Sequence, residues 1–335
     1  MYEFLGITLV LATLMSVNAA ATALATGVWY LVRQPLLRCS AQTQAEVLFV
    51  MRIGPPVIAI FWIGAFMIPS YLVYEPYSTD EFVSLKLGTL AAVSAIGVGC
   101  AVWRGIRSWW ATRSLLKMWL ANATPIQLDG LNVPAFRLVH SFPIIAVVGT
   151  FRPRLFIAEH VLSSLTKEEL AAAIAHEYGH MAAYDNLKRS MLRLSRAALL
   201  IIPCGRSLDR AWGEAAEAAA DEHAAQKSSA VAVNLASALV RIARMIPAED
   251  RRVMPSSAYL VGGEETRGVK ARVRRLLELS SLDPSLVVNS SPSWFRLTPW
   301  LLLLFVVIVG LTIESRPQVL ASVHLFIEHI VVILS

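Results

Sequence analysis

Apolar residues in this chain gather into long runs rather than the narrow stripes of soluble helices. The first run covers 4–32, the second 47–74 with Pro55, Pro56 and Pro69 inside it, and the third 84–103. A fourth, LTPWLLLLFVVIVGLTI, covers 297–313. Each is close to or beyond the length of about 20 residues that crosses a bilayer core as a helix. Prolines are tolerated in a span when neighbouring helices satisfy the freed carbonyls. The small residues of AAVSAIGVGCA in the third run favour close helix packing. The first run is too long for the apolar core of a signal peptide and no basic segment precedes it, so it is expected to be a retained span. A last run, 319–334, carries His324, Glu328 and His329 and suits either a fifth span or an interfacial helix.

Between the third and fourth runs the pattern changes. Residues 104–121 predict a basic, Trp-bearing helix along the inner membrane surface. Over 124–160, short β-rich stretches broken by Pro143, Gly149 and Pro153 predict a small sheet or hairpin. SSLTKEELAAAIAHEYGH then opens a helix, with Thr166 and Glu169 at capping-box spacing. Further helices are expected over 187–203, 211–226 and 231–246, and GVKARVRRLLELS closes the segment. Arg193 and Arg196 leave the 187–203 stretch too little uninterrupted apolar length to span, so it should pack within the segment or dip against the inner leaflet. The pattern thus predicts a mainly α integral membrane protein: three transmembrane helices in 1–103, a helical domain with a small β-sheet or hairpin at 104–296, and a fourth transmembrane helix with a short apolar segment in 297–335.

Composition agrees. Of 335 residues, 56% are hydrophobic, and the mean hydropathy is +0.56, above what a soluble globular chain carries. The net charge of +6 is held by Lys and Arg flanking the apolar runs. That arrangement sets topology and attracts anionic lipid, and no nucleic-acid partner is expected. Arg33 and Arg38 lie between the first two runs, with Arg52, at the start of the second, counted among the same loop charges, and Glu75, Asp80 and Glu81 lie between the next two. Arg104, Arg107, Arg113 and Lys117 follow the third run. Positive segments stay inside, which directs 104–296 to the cytoplasmic side of a bacterial-type inner membrane. Cys39, Cys100 and Cys204 lie far apart and in no C-x-x-C pair, and suggest neither a disulfide framework nor a thiolate metal site.

The chemistry lies in AAAIAHEYGHMAAYDNLKR, 171–189. His176 and His180 are four apart, on one helical face, and can offer two imidazole nitrogens to one metal ion. Glu177 follows the first and can serve as general base toward an attacking water, which is the content of H-E-x-x-H and suits Zn²⁺. A third ligand should come from another helix. In WGEAAEAAADEHA, Glu214, Glu217 and Asp221 share one face, so a carboxylate there can complete the site and another can orient a ligand histidine. His140, His160, His223, His324 and His329 have no such arrangement around them.

The stretch from Phe142 to Arg189 resembles the metallopeptidase domain of BlaR/MecR-type membrane sensors: a strand region with Pro and Gly, the LTKEEL helix start, H-E-x-x-H, then Asp185-Asn186-Leu187. The Glu-x-x-x-Asp helix of that family matches Glu217 and Asp221, which selects Glu217 over Glu214 as third ligand. HtpX- and CAAX-protease-type families share both motifs. The resemblance covers roughly 104–280 and implies a gluzincin-like helical zinc peptidase facing the cytoplasm. In it His176, His180 and Glu217 hold the zinc, Glu177 is the catalytic base, and Asp221 supports a ligand. Asp185 and Asn186 are assigned to structural support; the sequence identifies no oxyanion-stabilising residue, a role that Tyr184, His223 or an arginine could serve. The sensors carry a penicillin-binding domain after the last span; this chain ends at Ser335, shortly after its fourth run, so β-lactam sensing is not implied. The expected partners are the lipid bilayer and a protein or peptide substrate, a cytoplasmic repressor or the chain itself. Two other classes compete. A signalling scaffold with a structural zinc site has no need of Glu177, and a transporter would need intramembrane charges that the main runs lack.

Overall fold

The computed structural model describes residues 2–76, 83–128, 133–149, 152–198, 205–246, 265–281, 294–314 and 316–334. The protein is mostly helical with one small sheet. By length and composition, three of its helical stretches can each cross a membrane: α1 (Tyr2–Leu36), the stretch Ala41–Tyr74, and α4 (Leu85–Ala121). The second of these is α2 (Ala41–Trp62), a π-helical turn at Ile63–Met67, and α3 (Ile68–Tyr74). Pro55 and Pro56 lie inside α2 without breaking it, and the helix widens about two turns later. The fourth apolar run forms α11 (Trp294–Glu314), which meets α12 (Pro317–Leu334) at a 100° bend; only as a pair do these two pass for a span.

Two features differ from the expectation. The basic stretch 104–121 is not a separate surface helix: it continues α4 without a break, with the Arg107 and Arg113 guanidinium groups 5.3 and 5.1 Å from the Trp103 and Trp109 ring centres. Arg52, counted above among the loop charges, lies within α2. It is fully buried, with Nε 3.0 Å from Asp209 Oδ1 and an Nη1 hydrogen bond of 2.6 Å to Ser195. Its charge therefore says little about topology and instead ties the second helix to the segment that follows the third.

That segment opens with a mixed four-stranded sheet of order β1-β2-β4-β3, from β1 (Ala123–Ile126), β2 (Ala135–Leu138), β3 (Ile145–Val148) and β4 (Arg154–Ala158). β1–β2 and β3–β4 are antiparallel, and β2–β4 is parallel. Gly149, at φ +110°, makes the turn out of β3, and the Cβ of any other residue there would meet Arg152 O at 2.7 Å. The helices that follow are α5 (Glu159–Ser164), α6 (Lys167–Ala182), α7 (Asp185–Ala198), α8 (Arg206–Ala225), α9 (Ser229–Met245) and α10 (Glu265–Ser280). β3, β4, α6 and α9 share one core that includes Phe156, Ile157, Ala173, Leu235 and Leu239. A second core packs Leu208, Trp212 and Ala215 of α8 on Leu48, Phe49 and Ile53 of α2. The described part of the 187–203 stretch, 187–198, belongs to α7, which packs along α4.

Candidate metal centre

α6 carries the motif and starts where its sequence says. Thr166 Oγ1 accepts from Glu169 N at 3.2 Å, and the Glu169 carboxylate accepts from Thr166 N at 2.9 Å, so both halves of the capping box are made. Gly179 lets α8 cross closely: a Cβ there would stand 3.1 Å from the Ala220 Cα. This close crossing brings Glu217 against the two histidines. His176 Nε2 is 3.8 Å from Glu217 Oε2, and His180 Nε2 is 3.7 Å from Glu217 Oε1. One donor atom from each of the three residues lies within 4.8 Å of the other two. Glu214 sits on the same helix but is exposed and outside this group.

The far ring nitrogens are taken by carboxylates. His176 Nδ1 is 2.9 Å from Asp221 Oδ1, and both side chains are fully buried. His180 Nδ1 is 2.6 Å from Asp185 Oδ2. With Nδ1 of each ring held by a carboxylate, Nε2 is the nitrogen left facing Glu217 and the one available to a metal. Two imidazole nitrogens and one carboxylate around a common point fit Zn²⁺ with an open fourth position. Asp185 reaches His180 because Tyr184 adopts the left-handed conformation, φ 55°, and reverses the chain just past α6. Asn186 then donates to the carbonyls of Val147 (3.0 Å) and Gly149 (3.3 Å), fixing β3 beside the motif helix.

Two arginines complete the site, and sequence reading had located neither. Arg272, from α10, places Nη1 3.1 Å from Glu217 Oε2 and Nη2 2.7 Å from Asp221 Oδ1, with the same Nη2 3.3 Å from His176 Nε2. Arg189, from α7, holds the other Glu217 oxygen at 3.0 Å. The available signal was weak: Arg272 and Arg275 are one turn apart and face Asp221 and Glu222 respectively, yet other basic residues surround them. His223 stacks on Tyr178 at 5.9 Å, and Tyr184 is exposed. His140 accepts a hydrogen bond from Phe142 N at 3.0 Å, as a structural residue would.

Charge in the site follows from burial against pairing. Burial pushes the Glu177 carboxyl up to about 7, while His180 pulls the other way. Burial would also raise Glu217 and Asp221. The His180 and Arg272 cations outweigh it and keep Glu217 well below the usual range, and Arg272 with His176 brings Asp221 to about 2. Burial disfavours a charged His180, but the carboxylates of Glu217 and Asp185 hold its pKa up at about 10. At neutral pH the metal-free ring is therefore protonated on both nitrogens, and a cation bound through Nε2 must expel one proton. The sign is definite: apparent zinc affinity should rise by about tenfold per pH unit between pH 6 and 8 from this group alone. Competition against a zinc chelator of known affinity measures it, and an affinity independent of pH would refute the charge assignment.

No curated protein and no solved structure matches the chain. Residues 146–248, which run from β3 through α9 and contain the motif helix and Glu217, match the family model for Peptidase family M48, so this stretch is similar to an M48 peptidase domain.

Proposed function

We propose that the chain is a membrane-embedded zinc endopeptidase that cleaves protein or peptide substrates on the cytoplasmic side. One observation carries the reading: the donor atoms of His176, His180 and Glu217 converge within 4.8 Å beside a buried carboxyl, that of Glu177. The M48 match over the same residues supports the reaction class. A structural zinc site has no use for a fourth, non-ligating carboxyl held near neutral pKa, so the scaffold alternative is disfavoured.

In this mechanism His176, His180 and Glu217 hold Zn²⁺, which when bound polarises the scissile carbonyl and makes a water acidic enough to attack. Glu177 takes the proton of the attacking water and delivers it to the leaving amine. A carboxyl near pKa 7 is suited to both directions of transfer. Asp221 and Asp185 fix the two rings, and Arg272 and Arg189 keep Glu217 ionised and in place. The substrate fits regulated proteolysis of the BlaR/MecR kind, with a cytoplasmic repressor or the chain itself as target. Quality control of membrane proteins, as in HtpX-type enzymes, uses the same site.

The test of the reaction is hydrolysis of an unfolded protein such as β-casein by the purified chain, lost on chelation and restored by zinc. No restored cleavage would count against the proposal. Its sidedness is separate. Single cysteines at Ser163 and Lys227 in a Cys-free background should react with an impermeant reagent only after the inner face is opened. Ser78, between α3 and α4 and outside the described residues, should react from outside. Ser163 and Lys227 labelling from opposite sides would break the single-site account.

A further inference from the structure

The other group of metal-capable side chains among the described residues lies at the opposite end of the second helical stretch. Glu75 follows α3, and His324 and Glu328 stand one turn apart on α12. Donor atoms of all three lie within 4.8 Å of one another. The catalytic cluster is held from the Ala41 end, where the Ala41 backbone N–H donates to Glu222 of α8 at 3.0 Å. The 34 residues of Ala41–Tyr74 separate that end from Glu75, about 50 Å of helix at the α-helical rise. The two clusters therefore cannot share an ion.

His324 is placed rather than loose. Its ring stacks on Tyr74 with centres 5.8 Å apart. The Tyr74 hydroxyl donates to Pro317 O at 3.1 Å, and the fully buried Ser70 hydroxyl donates to Leu320 O at 2.8 Å, so the turns of α12 that lead up to the ring are pinned to α3. His324 is only 9% exposed, and its Nδ1 is buried with no hydrogen-bond partner, while Nε2 stands 3.3 Å from Glu328 Oε1. A buried ring nitrogen without a partner is uncommon in a folded protein and calls for an explanation such as an ion. An i,i+4 His–Glu pair accounts for the Nε2 contact but not for the buried Nδ1.

We infer that Glu75, His324 and Glu328 form a second divalent metal site, at the membrane face opposite the peptidase centre, which binds a transition-metal ion of the Zn²⁺/Co²⁺ class and clamps α12 to the end of α3. One imidazole and two carboxylates suit those ions better than Mg²⁺ or Ca²⁺, which take oxygen ligands.

The inference does not depend on the peptidase reading, and one experiment separates them. The full chain in detergent micelles is equilibrated with zinc, washed, and its zinc counted by atomic emission, with circular dichroism as the check on folding. The parent should hold two ions per chain, His180→Ala one, and His180→Ala with His324→Gln none. Glu328→Gln, at a half-exposed position, should weaken the second ion at least about tenfold without affecting the fold. Co²⁺ in place of zinc should give two absorption bands sets that the same variants remove one at a time. If His180→Ala already holds no ion, or if adding His324→Gln or Glu328→Gln changes neither content nor affinity, the second site does not exist and the peptidase centre is untouched. An ion lost only with His324→Gln would sustain this site and overturn the other.

Discussion

Glu177→Gln should keep its zinc and lose peptide-bond hydrolysis by at least about a hundredfold. Glutamine has the same shape as the carboxyl it replaces but cannot take up a proton. Glu177 is 7% exposed and receives a hydrogen bond from the Val147 backbone, so the amide can occupy the same place with little disturbance. Neither ring of the histidine pair depends on Glu177: Asp221 and Asp185 orient them. Binding and chemistry therefore separate in this one variant. Unchanged zinc with near-parental hydrolysis would remove Glu177 from the mechanism, and lost zinc would mean that it is a ligand.

Arg272→Met should destabilise the metal-free protein by about 3–5 kcal/mol, the usual cost of stranding a buried charge. Arg272 touches Glu217 and Asp221 at once, its side chain is only 14% exposed, and Asp221 is fully buried. Without the guanidinium both carboxylates lose their shared cation, and Arg189 remains to Glu217 alone. Saturating zinc should restore part of the loss, because an ion bound by Glu217 replaces one of the two contacts, but not the Asp221 contact. Thermal unfolding of parent and variant, each with chelator and with zinc, gives the four values required. An equal drop with and without zinc would mean that Arg272 and the metal do not share Glu217, and no drop would mean that the pair adds nothing to stability.

Local features were legible because they need only the period of one helix. The capping box at Thr166, the i,i+4 histidines and the apolar runs are of this kind. Glu214 and Glu217 look alike on a helical wheel, and the difference between them is where Gly179 lets α8 cross α6. Asp185 lies five residues past His180, off the helical period, and its role depends on a left-handed Tyr184 that nothing in the composition announces. Arg272 comes from a helix 51 positions beyond Asp221, and choosing it among its basic neighbours requires knowing which face of α10 packs on α8. The strands were read as a small sheet or hairpin. The parallel pairing of β2 with β4 depends on contacts across the β3 hairpin, which four-residue strands cannot encode on their own. Arg52 was read as a loop charge because a lone arginine in an apolar run says nothing about a partner at Asp209.

The claim on which the rest stands is that His176, His180 and Glu217 share one zinc ion. Zinc content of purified His180→Ala, Glu217→Ala and Glu214→Ala, each against the parent, tests it directly. The first two should each fall by about one ion per chain, as expected for removing one of three protein ligands, and Glu214→Ala should match the parent. Parental zinc in both His180→Ala and Glu217→Ala, or loss of the ion in Glu214→Ala instead, would contradict the account.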